Sequence, residues 1–151
     1  MQTNSNKIII ALLVVVILIL GFMMFKPKVE VPVNNQNQKP VMSGNTDDLT
    51  SFSITPGQKV SGTMTATGVM KSNYFFEANM PVLILDANKN VLKTGFATST
   101  SDWMTSGPIT FTTTLNFSGL SSGPAYIDIR NDNPSGDPAN ERNIYIPIVI
   151  Q

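Results

Sequence analysis

The stretch RNDNPSGDPANER, residues 130–142, holds five of the chain's 20 charged residues, with two prolines and one glycine. Oxygen-rich runs of this kind bind cations, take part in carboxylate chemistry, or simply turn the chain. Read as a calcium loop from Asn131, the alternating oxygens fall on Asn133 and Ser135, with Gly136 at the sharp-turn position. The pattern then fails at both ends: Asn131 stands where Asp belongs, and Arg142 where a bidentate Glu belongs. Pro134 and Pro138 also stiffen it. No metal is therefore expected, and consecutive turns linking two strands explain the stretch more simply, because Asn and Asp bond their own backbone and Gly supplies positive φ.

A binding role is the alternative, since loops at the end of a scaffold commonly carry recognition. Its candidate residues are Asp132, Asn133 and Asp137, joined by Trp103, the single tryptophan, in SDWMTSGP. An exposed Trp would stack on a sugar ring; the plainer expectation is that it caps the core. Glu77 with Asp86 or Asp102 would suit a carboxylate hydrolase only if they converge across a cleft. Tyr126, Asp128 and Arg130 fall on one strand face, which reads as solvated and carrying an Asp–Arg contact.

The whole chain narrows these options. It has no cysteine and no histidine, which removes thiolate chemistry, disulfides and the usual general base at neutral pH. Ten basic residues balance ten acidic ones, so no basic field draws it to nucleic acid. A non-enzymatic protein without a cofactor is expected.

Residues 8–25, IIIALLVVVILILGFMMF, run 18 positions without a charge or a hydrogen-bonding side chain. As a helix they would span roughly 27 Å, close to the hydrocarbon thickness of a bilayer. The run is longer than a signal-peptide core and ends in large residues, so a retained anchor is expected rather than a cleaved one. Lysines flank both sides, and the short residues 1–7 are expected in the cytoplasm. Residues 26–50, with three prolines and an Asn/Gln cluster, read as a flexible linker.

From residue 51 to 151 the apolar period is two. Val60, Gly62, Met64 and Ala66 alternate with Lys59, Ser61, Thr63 and Thr65, predicting one strand over 59–66. Residues 109–117 and 144–150 alternate likewise, and further strands are predicted at 52–54, 74–77, 82–86, 91–98 and 125–130. DANKN, residues 86–90, is a hairpin turn. Pro81 should interrupt pairing before Val82, and Pro147 should mark an edge or bulge. Seven or eight short strands in about 100 residues predict an all-β, immunoglobulin-like two-sheet sandwich; a closed barrel of OB type is the alternative.

The body resembles a known family over about residues 52–150. The segments NYFFEANMPVLILDANKNVLKTGFATSTSDWMTSGPITFTTTLNF and RNDNPSGDPANERNIYIPIVI are similar to the immunoglobulin-like domain associated with bacterial spore germination. The most specific pieces are Phe76-Glu77-Ala78 with Pro81-Val82, Asp86-Ala87-Asn88, Asp102-Trp103-Met104-Thr105 and NDNPSGDP. Lys89-Asn90 departs from the Asn-Gly usual in the first hairpin. The resemblance implies an extracytoplasmic β-sandwich that binds or assembles at the bacterial cell envelope; the single-pass membrane anchor is read from residues 8–25 alone. A cell-wall glycan or an envelope protein is the expected partner, and the resemblance brings no catalytic residues.

Overall fold

The computed structural model describes residues 39–151; the predicted anchor at 8–25, residues 1–7 and most of the predicted linker lie outside them. Among the described residues no helix is long and apolar enough to cross a membrane. Nine strands follow one another: β1 Ser43–Gly44, β2 Leu49–Phe52, β3 Gln58–Val60, β4 Thr63–Met70, β5 Asn79–Asp86, β6 Val91–Ser99, β7 Ile109–Asn116, β8 Gly123–Arg130 and β9 Asn143–Ile150. The architecture is all-β and immunoglobulin-like. One layer is β2-β4-β7, the other β6-β5-β8-β9 with β1 and β3 along its outer edge. β6 joins the layers, because Ala97–Ser99 at its end also pair with β7, so the two form one curled sheet. The sheet does not close into a barrel: β1 and β2 end the strand order without pairing to each other.

Alternation decides which side of each strand is buried. Ile144, Ile146, Ile148 and Ile150 of β9 point inward, as do Ile109, Phe111 and Leu115 of β7, and both runs agree with the period-two expectation. These side chains meet Met70, Met80, Val82, Ile84, Ile127 and Ile129 in one apolar core.

Several elements depart from expectation for local reasons. The predicted strand 59–66 is two strands, since Gly62 at φ +61° lets the chain change layers: β3 pairs parallel with β9, and β4 pairs antiparallel with β7. Residues 74–77 form no strand. A 3-10 turn over Ser72–Tyr74 plugs Tyr74 and Phe75 into the end of the core, and Glu77 and Ala78 then turn the chain at φ 48° and 64°. Pro81 does not interrupt β5; it lies opposite Phe96, one residue before pairing with β8 begins at Val82, so only one flank is paired there. Pro147 does not mark an edge or a bulge: β9 is flanked by β8 on one side and by β1 and β3 on the other, and its register with β8 is unbroken. The Pro147 carbonyl accepts from Gly57 N–H on the outer side, so the missing N–H faces the gap where pairing passes from β1 to β3.

The linker also ends earlier than Thr50. β1 pairs with Tyr145 and Ile144 of β9, a 3-10 turn spans Thr46–Asp48, and Met42 and Leu49 pack against the core. The composition of residues 39–50 hides this because their anchoring contacts reach to distant parts of the chain.

The registers Leu49↔Met70, Met70↔Ile109, Asn79↔Thr98 and Arg130↔Asn143 place four connections at one end of the sandwich: residues 45–48, 71–78, 100–108 and 131–142. The 86–90 hairpin lies at the other end, about 23 Å away along β5.

The chain packs closely at Gly68, opposite both Phe52 and Phe111, whose rings stack with centroids 5.9 Å apart. A Cβ there would lie 2.4 Å from Phe111 Cζ and 2.7 Å from the Ser51 carbonyl oxygen. Gly68→Ala is expected to destabilise the domain by about 1–3 kcal/mol in urea unfolding; an unchanged midpoint would show that Phe111 moves aside freely.

Candidate functional site

The loop 131–142 spends its polar groups on itself. Arg142 N–H donates to Asn131 Oδ1 at 2.7 Å and Asn131 N–H to the Arg142 carbonyl at 3.1 Å, closing the neck. Asn131 Nδ2 reaches the Asn140 carbonyl. Asn133 donates from Nδ2 to the Asp137 carbonyl and accepts from Ser135 Oγ. Asp137 caps the 3-10 turn Pro138–Asn140 by accepting from Ala139 N–H at 2.9 Å. Consecutive turns are thus what the prolines, the asparagines and Gly136 at φ +65° build here. Among the described residues no three His, Cys, Asp or Glu side chains come together around a cation position.

Beneath the neck lies Asp48, only 4% exposed. Its Oδ1 accepts from Lys71 Nζ at 2.5 Å, and its Oδ2 accepts from Arg142 Nη1 at 3.0 Å and from the Tyr74 hydroxyl at 3.3 Å. Burial pushes its carboxyl upward, but the bonds and charges of Lys71 and Arg142 outweigh burial and hold it below the ordinary value. Burial, and then the Asp48 charge, push the Tyr74 phenol far above its usual range.

A second carboxylate sits under the outer face of β8. Asp128 is fully buried, so this face is not the solvated one its sequence suggested. Arg130 Nε donates to its Oδ2 at 2.5 Å, while its Oδ1 has no partner. Burial raises the Asp128 carboxyl against the opposing pull of Arg130 and Lys89. Lys89, at φ +64° in the 86–90 hairpin, places its ammonium 3.7 Å from the Tyr145 ring centroid. Tyr126 meets the Tyr145 ring edge-on at 6.3 Å.

Arg130 and Arg142 are the chain's only arginines, and they line one pocket of about 360 Å³ together with Asn131, Asn133, Glu141, Asn143 and Tyr145. Each guanidinium is seated on a buried aspartate, and each arginine side chain remains 42–43% exposed. Such a pair offers planar, oriented donors to an anion.

Of the residues singled out from the sequence, Asn133 lines this pocket. Trp103 is at the same end of the sandwich but packs against the core, half-buried. The Asp132 backbone ties the loop to the Tyr74 carbonyl, and Asp137 is a turn cap. Glu77 is exposed, and Asp102 accepts from Met104 N–H in its own loop. Asp86 caps the far hairpin, so the three carboxylates do not converge. Sequence reasoning misses Asp48, Asn143 and Tyr145 as site residues and meets Arg142 only as the end of the loop, although the scarcity of arginine is there to be read.

The family model for the immunoglobulin-like domain of bacterial spore germination matches residues 52–137, more than half of the chain. The chain belongs to that family. No curated protein and no solved structure matches it. The family match ends inside the loop, so this spore-germination-type domain takes Arg130, Asn131 and Asn133 from the matched stretch. Glu141, Arg142, Asn143 and Tyr145 come from beyond it, and so does Asp48 from before it.

The Asp48 cluster sets a sign for pH. A carboxyl held below 3.8 contributes stability that is fully present above that value and is lost as pH falls through the folded value. Asp48→Asn should cost about 2 kcal/mol in urea unfolding at neutral pH, less than for a fully buried pair because Lys71 and Arg142 can rehydrate. The difference from the parent should shrink at pH below 3.8; a difference that stays constant would show that Asp48 is not charged in the fold.

Proposed function

We propose that the protein is a non-enzymatic, single-pass membrane protein whose immunoglobulin-like domain stands outside the cytoplasm and binds at the bacterial cell envelope. Membership of the family supports the envelope setting, and the apolar run at residues 8–25 supports the anchor. The observation that carries the binding reading is the pocket lined by the two arginines, a preorganised donor pair held on buried carboxylates.

A cell-wall glycan is favoured over a protein partner by what lies around the pocket. Asparagine, tyrosine and arginine side chains suit a polar, hydroxyl-rich ligand, and the half-buried Trp103 sits at the same end.

Two measurements test this. Protease added to spheroplasts should degrade the C-terminal domain while intact inside-out vesicles protect it; the reverse pattern would refute the orientation. The detergent-solubilised full-length protein should co-sediment with purified cell wall, and Trp103→Ala should weaken retention modestly, by about threefold, since this residue is partly spent on the core. Absence of retention would refute the glycan reading.

A further inference from the structure

The pocket's unspent hydrogen-bonding groups define a ligand more narrowly. We propose that it takes a carboxylate carried on a hydroxyl- or amide-bearing molecule. This rests on the binding reading above and names its ligand class.

The inventory of partners makes the case. Asn131 and Asn133 are occupied within the loop, each by both its amide nitrogen and its amide oxygen. Asn143 donates its amide to the Tyr145 hydroxyl at 2.7 Å, which leaves the Asn143 Oδ1 free to accept and the Tyr145 O–H free to donate. Arg130 uses Nε on Asp128, and Arg142 uses Nη1 on Asp48; among the described residues their other guanidinium N–H groups have no acceptor. Glu141 adds a further acceptor at the rim. A fitting ligand therefore brings one planar oxyanion for the arginines, and hydroxyl or amide donors for Asn143 and Glu141.

Charge points the same way. The two guanidinium charges are already paired with Asp128 and Asp48, and Glu141 adds a negative charge, so the lining offers oriented N–H donors rather than surplus positive charge, which suits a singly charged carboxylate. A phosphate dianion brings excess negative charge towards Glu141 and few donors. The seats matter as much as the count: each guanidinium is fixed by a buried carboxylate before any ligand arrives, so less side-chain freedom is lost on binding. Asp128 is the costlier seat, since its Oδ1 is buried without a partner. A group kept at that cost fits a role in positioning Arg130 rather than in holding the fold together.

The two arginines also supply the readout, because ¹⁵N spectra of the full-length protein in detergent micelles contain only two arginine Nε–H signals. The probes are N-acetylmuramic acid, N-acetylglucosamine, which lacks the carboxylate, and inorganic phosphate. Both signals should shift saturably with N-acetylmuramic acid, while N-acetylglucosamine leaves them in place and phosphate binds at least about tenfold more weakly. Arg142→Lys and Asp128→Asn should each weaken the carboxylate probe about tenfold, by loss of a planar fork or of its seat. Asp128→Asn should do so with little change in thermal midpoint, a split that a purely structural Asp128 would not show. Equal shifts with both sugars, tighter binding of phosphate, no shift with N-acetylmuramic acid, or unchanged affinity in both variants would each overturn the proposal. Cell-wall retention that persists alongside such a result would leave the envelope reading standing and remove only the ligand class.

Discussion

One buried carboxylate, that of Asp48, holds together the end of the sandwich on which the candidate site depends. It links the segment entering β2, the start of the β4–β5 connection at Lys71, the 3-10 turn at Tyr74, and the neck of the β8–β9 loop at Arg142. Desolvating a carboxylate costs several kcal/mol, and here three donors offset that cost. Because Lys71 and Tyr74 belong to the 71–78 connection, Arg142 to the 131–142 loop and Asp48 itself to the 45–48 connection, the contacts tie three loops together. The arginine that closes this cluster is also one wall of the pocket, so the stability of the end and the geometry of the site are coupled.

The second arginine is held differently. Arg130 is seated on Asp128 under the outer face of β8, where one carboxylate oxygen has no hydrogen bond. Asp48 is satisfied and its carboxyl is held low; Asp128 is not, and its carboxyl is raised. The two seats hold guanidinium groups at the same pocket at unequal energetic cost, and Lys89 on the Tyr145 ring supplies a further positive charge nearby.

The strands with clean alternation, β7 and β9 above all, were legible in the sequence, because a single buried face imposes period two. The resemblance to the family was legible from the motifs around the first hairpin and the loop, and the matched region confirms it. The change of layer at Gly62 was not legible, since alternation continues across it while the strand's partner changes. Nor was the turn at Glu77–Ala78, where two non-glycine residues occupy positive φ. The site was half visible: the 130–142 loop drew notice through its charges, yet Asn133 and Asp137 proved to hold the loop itself. Asp48 was hidden inside a stretch of linker composition, because its partners lie 23, 26 and 94 residues away in sequence. Periodicity reports which face is buried; it carries no information on contacts at that separation.

A double-mutant cycle on Asp48 and Arg142 addresses the central coupling directly. Urea unfolding of the parent, Asp48→Asn, Arg142→Gln and the double variant at neutral pH isolates their interaction from the separate effects of each change. A coupling energy of about 1–2 kcal/mol is predicted for this partly buried, charge-assisted pair. Additivity within about 0.3 kcal/mol would contradict the account, because the loop neck would then be held without the buried carboxylate.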